Sequence, residues 1–565
     1  MTDLAHTDAS AIVWPREVTA PRRRVGWLAW LALALALLLL SPLVAVVATA
    51  FGTGSGTWAH LGATVLPTYI GNTVLLVIAV TAGVFVTGTG TAWLVTMCRF
   101  PGKRVLEWAL ILPFAAPAYV IAYAYTDFLQ HPGPVQTWLR AVTGWGPRDY
   151  WFPEIRSLEG AALMFTLVLY PYVYLLARAA FLQQSACTLE VARTLGRGPW
   201  TAFVKVALPM ARPAIAVGVS LALMETLADF GTVAHFGVQT FTTGIYRAWF
   251  SLGDRVVAAQ LALNLVGVVF LLLLAERLQR GRRGFDTGRR FDTLPEYRLS
   301  GVRAWLATAA CALPILLGFL LPLAILARLS WLNAHALFGA RYIPLILNSF
   351  TLAGCGALAT VLIGLILAYA ARNRPGMLTT SASRLVSLGY AMPGSIIAVG
   401  LLIPLTTFDN ALDGWMRATF GISTGLILTG TIAALVFAYM ARFMAVALNT
   451  LEASLGKITP SIDEAARTLG AGPGRLLFRV HLPLISGGLL TAALIVFVDI
   501  MKELPATLIM RPFNFDTLAI QAYRLASDER LAEASTPSLV IMAVGLLPVI
   551  LLSRQIARAR PGAHK

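Results

Sequence analysis

Between Arg24 and Arg99 the chain carries no lysine, arginine, aspartate or glutamate. A bilayer crossing takes roughly 20 mostly apolar residues, so this stretch has room for two helices. The pattern predicts them at residues 25–50 and 69–97, with the Gly/Ser/Thr-rich stretch from Gly52 to Thr57 turning the chain between them. Further apolar runs predict spans at 108–126, 160–177, 213–234 and 256–275. A second set follows at 304–327, 343–371, 385–408, 418–441, 482–510 and 534–553. The first run is too long for a cleaved leader and has no small-residue cleavage site at its end. The expected fold is an all-α, multi-pass membrane protein of about twelve helices.

Composition agrees with that pattern. The 565 residues are 58% hydrophobic and only 13% charged, with a mean hydropathy of +0.73. A soluble domain carries roughly 25% charged residues, so an ordinary soluble enzyme and a disordered chain are both excluded. The net charge of +17 would suit a nucleic-acid binder, but its distribution says otherwise. Basic residues gather in alternate loops: Arg22 to Arg24, then Arg99, Lys103 and Arg104, then Arg193, Arg197 and Lys205. Arg280 to Arg290, Arg372 and Arg374, Lys457 to Arg479, and Arg554 to Arg560 continue the series. This is the positive-inside pattern. It places both termini in the cytoplasm and makes the lipid bilayer, not nucleic acid, the partner. Cys98, Cys187, Cys311 and Cys355 stand singly, without zinc or redox spacing.

The chain repeats itself. Asn72-Thr73 opens the second span and Asn348-Ser349 the eighth; Pro117 recurs as Pro393. Residues 190 to 196 read Glu-Val-Ala-Arg-Thr-Leu-Gly, and residues 464 to 470 read Glu-Ala-Ala-Arg-Thr-Leu-Gly. Phe241-Thr-Thr243 returns as Phe515-Asp-Thr517. Six spans precede each return to the same orientation, so the repeat is parallel, about an axis along the membrane normal. The expected units are a tail (1–24), a first six-helix domain (25–277), a cytoplasmic linker (278–302), a second six-helix domain (303–553) and a final tail (554–565).

In each half one basic loop is locally well specified. A short helix begins at Glu190 or Glu464 and is stopped by Gly196 or Gly470, residues able to take the left-handed C-terminal position. Gly198-Pro199 and Gly472-Pro473 then start a second helix, and Leu208-Pro209 and Leu482-Pro483 follow at equal distance. A helix–turn–helix held across the end of a bundle suits docking of another protein. The pattern Glu-Ala-Ala, three residues, Gly, nine residues, aliphatic, one residue, Leu-Pro resembles the coupling loop of ATP-binding-cassette importer permeases. Val191 stands where that family usually has its first Ala. The resemblance implies that Glu190, Ala192, Gly196, Pro209, Glu464, Ala465, Ala466, Gly470 and Pro483 form the coupling elements. It implies as partners two copies of a separate ATPase subunit and a periplasmic substrate-binding protein, and as location the bacterial inner membrane.

The chain has no phosphate-binding loop of its own: Gly102-Lys103 is followed by Arg104, and Gly456-Lys457 by Ile458. The expectation is therefore a permease that is not an enzyme and binds no cofactor, with ATP used by the partner. A membrane enzyme would need a convergent catalytic set, whereas His60, His131, His235 and His481 are dispersed. A twelve-span secondary transporter also has two parallel halves but has no use for two matched docking loops.

Charged residues inside spans by default mark function. Glu225 and Asp229 lie four apart on one helical face, and Asp499 and Glu503 repeat them. Four carboxylates on equivalent helices predict an acidic translocation path where the halves meet, with Lys502 and Arg511 as the nearby cations. Around them, residues 224–231 and 501–508, followed by Arg511-Pro-Phe-Asn-Phe-Asp-Thr517, resemble fused permeases of bacterial ferric-iron importers. Carboxylates suit a hard cation by ligand type, though nothing in them amounts to a fixed metal site. Fused thiamine permeases share the architecture and keep a second cationic substrate open.

Overall fold

The computed structural model describes residues 26–52, 57–183, 199–280, 297–333, 342–373, 376–390 and 392–558. The first half contains α1 (Trp27–Ala50), α2 (Leu66–Met97), α3 (Ala118–Leu129), α4 (Leu158–Gln183), α5 (Leu208–Ala228), α6 (Gly231–His235) and α7 (Arg255–Arg280). The second contains α8 (Gly301–Leu332), α9 (Tyr342–Asn373), α10 (Gly394–Phe420), α11 (Ile432–Leu455) and α12 (Pro460–Thr468). It ends with α13 (Leu482–Met501), α14 (Pro505–Met510), α15 (Leu518–Ser527) and α16 (Leu531–Arg558). Among the described residues, 11 helices are long and apolar enough to cross a membrane. The count reaches 12 if the pair Lys103–Ala115 and Ala118–Thr143, bent by 92°, is one span.

Five predicted spans need correction, each for a local reason. The span expected at 108–126 is broken because Ala116 and Pro117 are extended, as the residue before proline prefers. The one expected at 385–408 is interrupted before Gly394, where Pro393 (ψ 144°) repeats the device. The span at 213–234 stops at Ala228, because Asp229 turns extended (ψ 139°). Its counterpart, expected at 482–510, stops at Met501. The predicted helix at 418–441 begins only at Ile432. Residues 418–420 end α10, and those between it and Ile432 belong to a loop whose amides are held by two carboxylates. Asp409 accepts from Leu428 N and Thr429 N at 3.1 and 2.7 Å, and Asp413 from Thr424 N and Gly425 N at 2.8 and 3.0 Å.

The halves clasp each other through their first helices. α1 packs on α9, α10 and the helix Met377–Tyr390 of the second half, besides α7 of its own. α8 packs on α2, α3 and the helix Lys103–Ala109 of the first half, besides α16. The α1–α10 crossing is a backbone contact: a Cβ on Gly400 would sit 2.1 Å from the Pro42 carbonyl oxygen. Small residues allow such approach where lipid offers no hydrophobic drive for helix association. Tyr125 OH donates to Leu317 O at 2.7 Å on the other crossing. At the basic end, Cys98–Arg99 pairs in parallel with Tyr297–Arg298, tying the entry of the second half to the first.

Candidate functional site: a charged cavity between the halves

The cavity forms where α5 and α13 stop. In the first half, Asp229 Oδ1 accepts from Thr232 N at 2.8 Å and so caps α6. In the second, Glu503 accepts from Ala506 N at 2.9 Å, Thr507 N at 3.1 Å and Thr507 Oγ1 at 2.7 Å, capping α14. Orphan amides at a helix start are satisfied by such side chains. The same solution therefore breaks the same helix in each repeat. Asn72 Nδ2 donates to Gln239 O at 2.9 Å and Asn348 Nδ2 to Asp516 O at 3.1 Å, so each half ties its returning chain to the start of its second span.

All four predicted carboxylates line one cavity of about 100 Å3, together with Phe114, Tyr119, Tyr172, Arg442 and Lys502. They are not equivalent there. Glu503 pairs with Arg442 at 2.7 Å, and its side chain is 1% exposed. Asp499 pairs with Lys502 at 2.9 Å. Arg511, one of the two cations expected beside the path, pairs instead with Asp516, which Arg524 also holds at 2.9 Å. The acidic lining thus carries two cations, both from the second half. The repeat places Val168 and Ala228 opposite Arg442 and Lys502, and both of those line the cavity too. Among the described residues, no three of His, Cys, Asp and Glu converge as a metal cage.

At the basic end lies the docking candidate of the second half. Pro460 starts α12 in a first turn that tolerates proline, and no residue of this helix is buried. Gly470 ends it at φ +78°, with Gly470 N donating to Arg467 O and Ala471 N to Ala466 O. Glu464, Ala465 and Ala466 lie on α12, and Leu469 is 86% exposed beside them. Pro209 and Pro483 occupy the second position of α5 and α13, each preceded by a five-residue π-turn, Phe203–Ala207 and Leu477–His481. A proline ring crowds the carbonyl four residues back, and the wider turn relieves it. Glu190, Ala192 and Gly196 lie outside the described residues.

Sequence reasoning missed what holds α12. Asp463 accepts from Arg372 at the end of α9 (3.0 Å) and meets Nε2 of the buried His481 at 2.8 Å. Arg372 also donates to Leu455 O and Ile458 O, at 2.6 and 3.1 Å. Three elements thus meet at one carboxylate, which ties α12 to α9 and to the turn before α13. Burial works against ionisation of Asp463, but the bonds from His481 and Arg372 outweigh it and hold the carboxyl below the usual carboxylate range. A carboxylate with a depressed pKa stabilises above its unfolded pKa, near 3.9, and that stability is lost only as pH falls through the lower folded value. Asp463→Asn should therefore cut ATP-driven transport about tenfold across neutral pH, the fold-change that about 1.4 kcal/mol produces. Uptake by reconstituted complexes at pH 6 and 8 checks this, and wild-type uptake at both would dismiss the anchor.

Two clasped repeats of membrane helices, closing on a charged cavity and presenting a rigid exposed helix at one end, define a multi-pass membrane transport subunit. The chain belongs to the family described as "binding-protein-dependent transport system inner membrane component", whose profile matches residues 79–284 and again 360–560. The importer-permease fold expected from the coupling-loop pattern is therefore established, in two copies. Over 542 residues the chain is 28% identical to the Fe(3+)-transport system permease protein FbpB 2 of Haemophilus influenzae, covering 94% of this chain and 99% of that one. It is 30% identical over 206 residues to the molybdenum transport system permease protein ModB of Escherichia coli, covering 34% and 86%. The sulfate transport system permease protein CysT of Escherichia coli matches at 30% over 162 residues, covering 28% and 56%.

Proposed function

We propose that this chain is the membrane path of an ATP-driven importer that carries ferric iron from a periplasmic binding protein to the cytoplasm. The observation that supports it most is the convergence of Glu225, Asp229, Asp499 and Glu503 on one cavity between the halves. Carboxylates suit a hard cation, and a wet acidic path lowers the cost of carrying charge through the bilayer. The end-to-end similarity to a ferric permease favours the same substrate. In this reading the basic end faces the cytoplasm with both termini, about twelve spans cross the inner membrane, and the domains run 25–277 and 303–553. Two ATPase subunits dock on the loops around Gly196 and Gly470 and hydrolyse the ATP; this chain binds none.

The test is uptake by the reconstituted complex of radiolabelled ferric iron, thiamine, molybdate and sulfate, each with and without ATP. ATP-dependent uptake of iron alone is expected. Preference for thiamine or an oxyanion would overturn the substrate and leave the permease assignment standing. The chain purified alone should show no ATPase activity above background, and affinity-purified complexes should hold two ATPase copies per chain.

A further inference from the structure

Lys502 belongs to the second half and makes contacts with both halves. Its Nζ lies 2.9 Å from Asp499 and 5.4 Å from the centroid of the Phe114 ring, and its backbone carbonyl accepts from Tyr119 OH at 3.2 Å. Phe114 and Tyr119 flank the break in the third span of the first half. Glu225, on α5, lines the same cavity as Lys502 and Asp499. One carboxylate from each half thus shares a cavity with a single tethered cation, which Asp499 pairs and the Phe114 ring underlies. The repeat has Ala228 at the matching position, so this arrangement occurs once and joins unlike partners. Arg442, the other cavity cation, is already committed to the buried Glu503 of its own half.

We propose that Lys502 is a tethered counter-ion that latches the two halves across the cavity, and that a multivalent cationic cargo opens the path by taking Asp499 and Glu225 from it. Coulomb energy scales with the product of charges, so at equal distance a trivalent ion outcompetes the ammonium while a monovalent ion gains nothing over it. The long lysine stem leaves the released ammonium free to follow solvent. The latch explains why a cationic path contains a fixed cation at all. This inference rests on the cavity being the path, and it narrows the cargo to multivalent cations.

The experiment uses the complete complex with its ATPase subunits, all four native cysteines replaced by serine and a reporter cysteine at Ala116, which lines the cavity. Labelling by a water-soluble methanethiosulfonate is followed without cargo or nucleotide. Lys502→Met should speed labelling about tenfold, the shift that 1.4 kcal/mol produces, whereas Lys502→Arg should match the parent. Glu225→Gln, which keeps the Lys502–Asp499 bond, should also speed it. In the parent, trivalent lanthanum should accelerate labelling and sodium should not. Unchanged labelling in assembled Lys502→Met and Glu225→Gln complexes would overturn the latch, as would failure of both to assemble while Lys502→Arg does, since the pair would then be structural. No effect of lanthanum would overturn the exchange. No transport substrate enters the labelling of the variants, so these results stand apart from the uptake panel.

Discussion

Glu503→Gln is expected to destabilise the protein more than any other single change at the cavity, by about 3–5 kcal/mol, because it leaves a buried arginine without its counter-charge. Glu503 satisfies Arg442 and also two backbone amides and a hydroxyl at the start of α14. Glutamine keeps one acceptor oxygen but not the charge, and it forces an amide NH2 toward backbone donors. Arg442 is largely withdrawn from solvent, its side chain only 12% exposed. The readout is the thermal midpoint of the detergent-purified chain, which should fall sharply. Adding Arg442→Met to Glu503→Gln should recover part of the loss, because removing both charges is far less costly than orphaning one. Asp229→Ala, at the matching position, has a hydrophobic Val168 where Arg442 would be and should cost only about 1 kcal/mol, the worth of a cap. An unchanged midpoint for Glu503→Gln would show that the pair contributes nothing to the fold.

That contrast separates roles which the residue pattern makes look identical. The i, i+4 spacing of Glu225/Asp229 and Asp499/Glu503 correctly placed all four beside one another, because a parallel repeat puts equivalent helices on the two sides of one axis. It did not reveal that Asp229 and Glu503 serve as caps, since a helix end inside an apolar run leaves no compositional trace. Arg442 was missed for a related reason: the apolar run through Ala441 reads as a span that ends just before it, whereas the helix starts at Ile432 and continues to Leu455. The signals for the broken third and ninth spans, Pro117 and Pro393, were in plain view as repeat markers. Their extended backbone was not read as a break.

Other links lie beyond local spacing altogether. The anchor of α12 joins residues from three elements, and only the fold brings Arg372, Asp463 and His481 together. The buried pair of Glu107 with Arg178 is a second case. Matching the halves residue by residue exposes it, because Ser383 and Glu452 occupy the same positions in the second half and bond at 3.1 Å. A repeat is therefore most informative where its copies differ. The halves share the helix breaks and, in sequence, the loop pattern, but the cations of the cavity belong to the second half, and Leu189 stands where Asp463 tethers α12.

The loop proposed to couple to the ATPase gives the other large effect. Gly470→Val is expected to reduce ATP-driven uptake about tenfold or more, by the conversion of 1.4 kcal/mol per decade, while insertion and the cavity stay intact. Gly470 sits at φ +78°, where a β-carbon costs roughly 1–2 kcal/mol and a β-branched side chain is a genuine outlier. A clash is not the cause, because a Cβ built at Gly470 has no atom within 4 Å. The chain would instead relax the turn, giving up the bonds from Gly470 N and Ala471 N that close α12. The exposed helix proposed to dock an ATPase would then be joined to the membrane helices by a slack connection, and on that proposal its movement would no longer reach α13. Two variants separate conformation from bulk. Gly470→Asn accepts the left-handed position and should retain most uptake, whereas Gly470→Val should lose it even though its side chain meets open space. Gly196→Val should add to the loss if the first loop is built alike. The measurement is uptake and ATPase activity of complexes matched for membrane content. Equal, wild-type uptake for the Val and Asn variants would remove the turn from the coupling path.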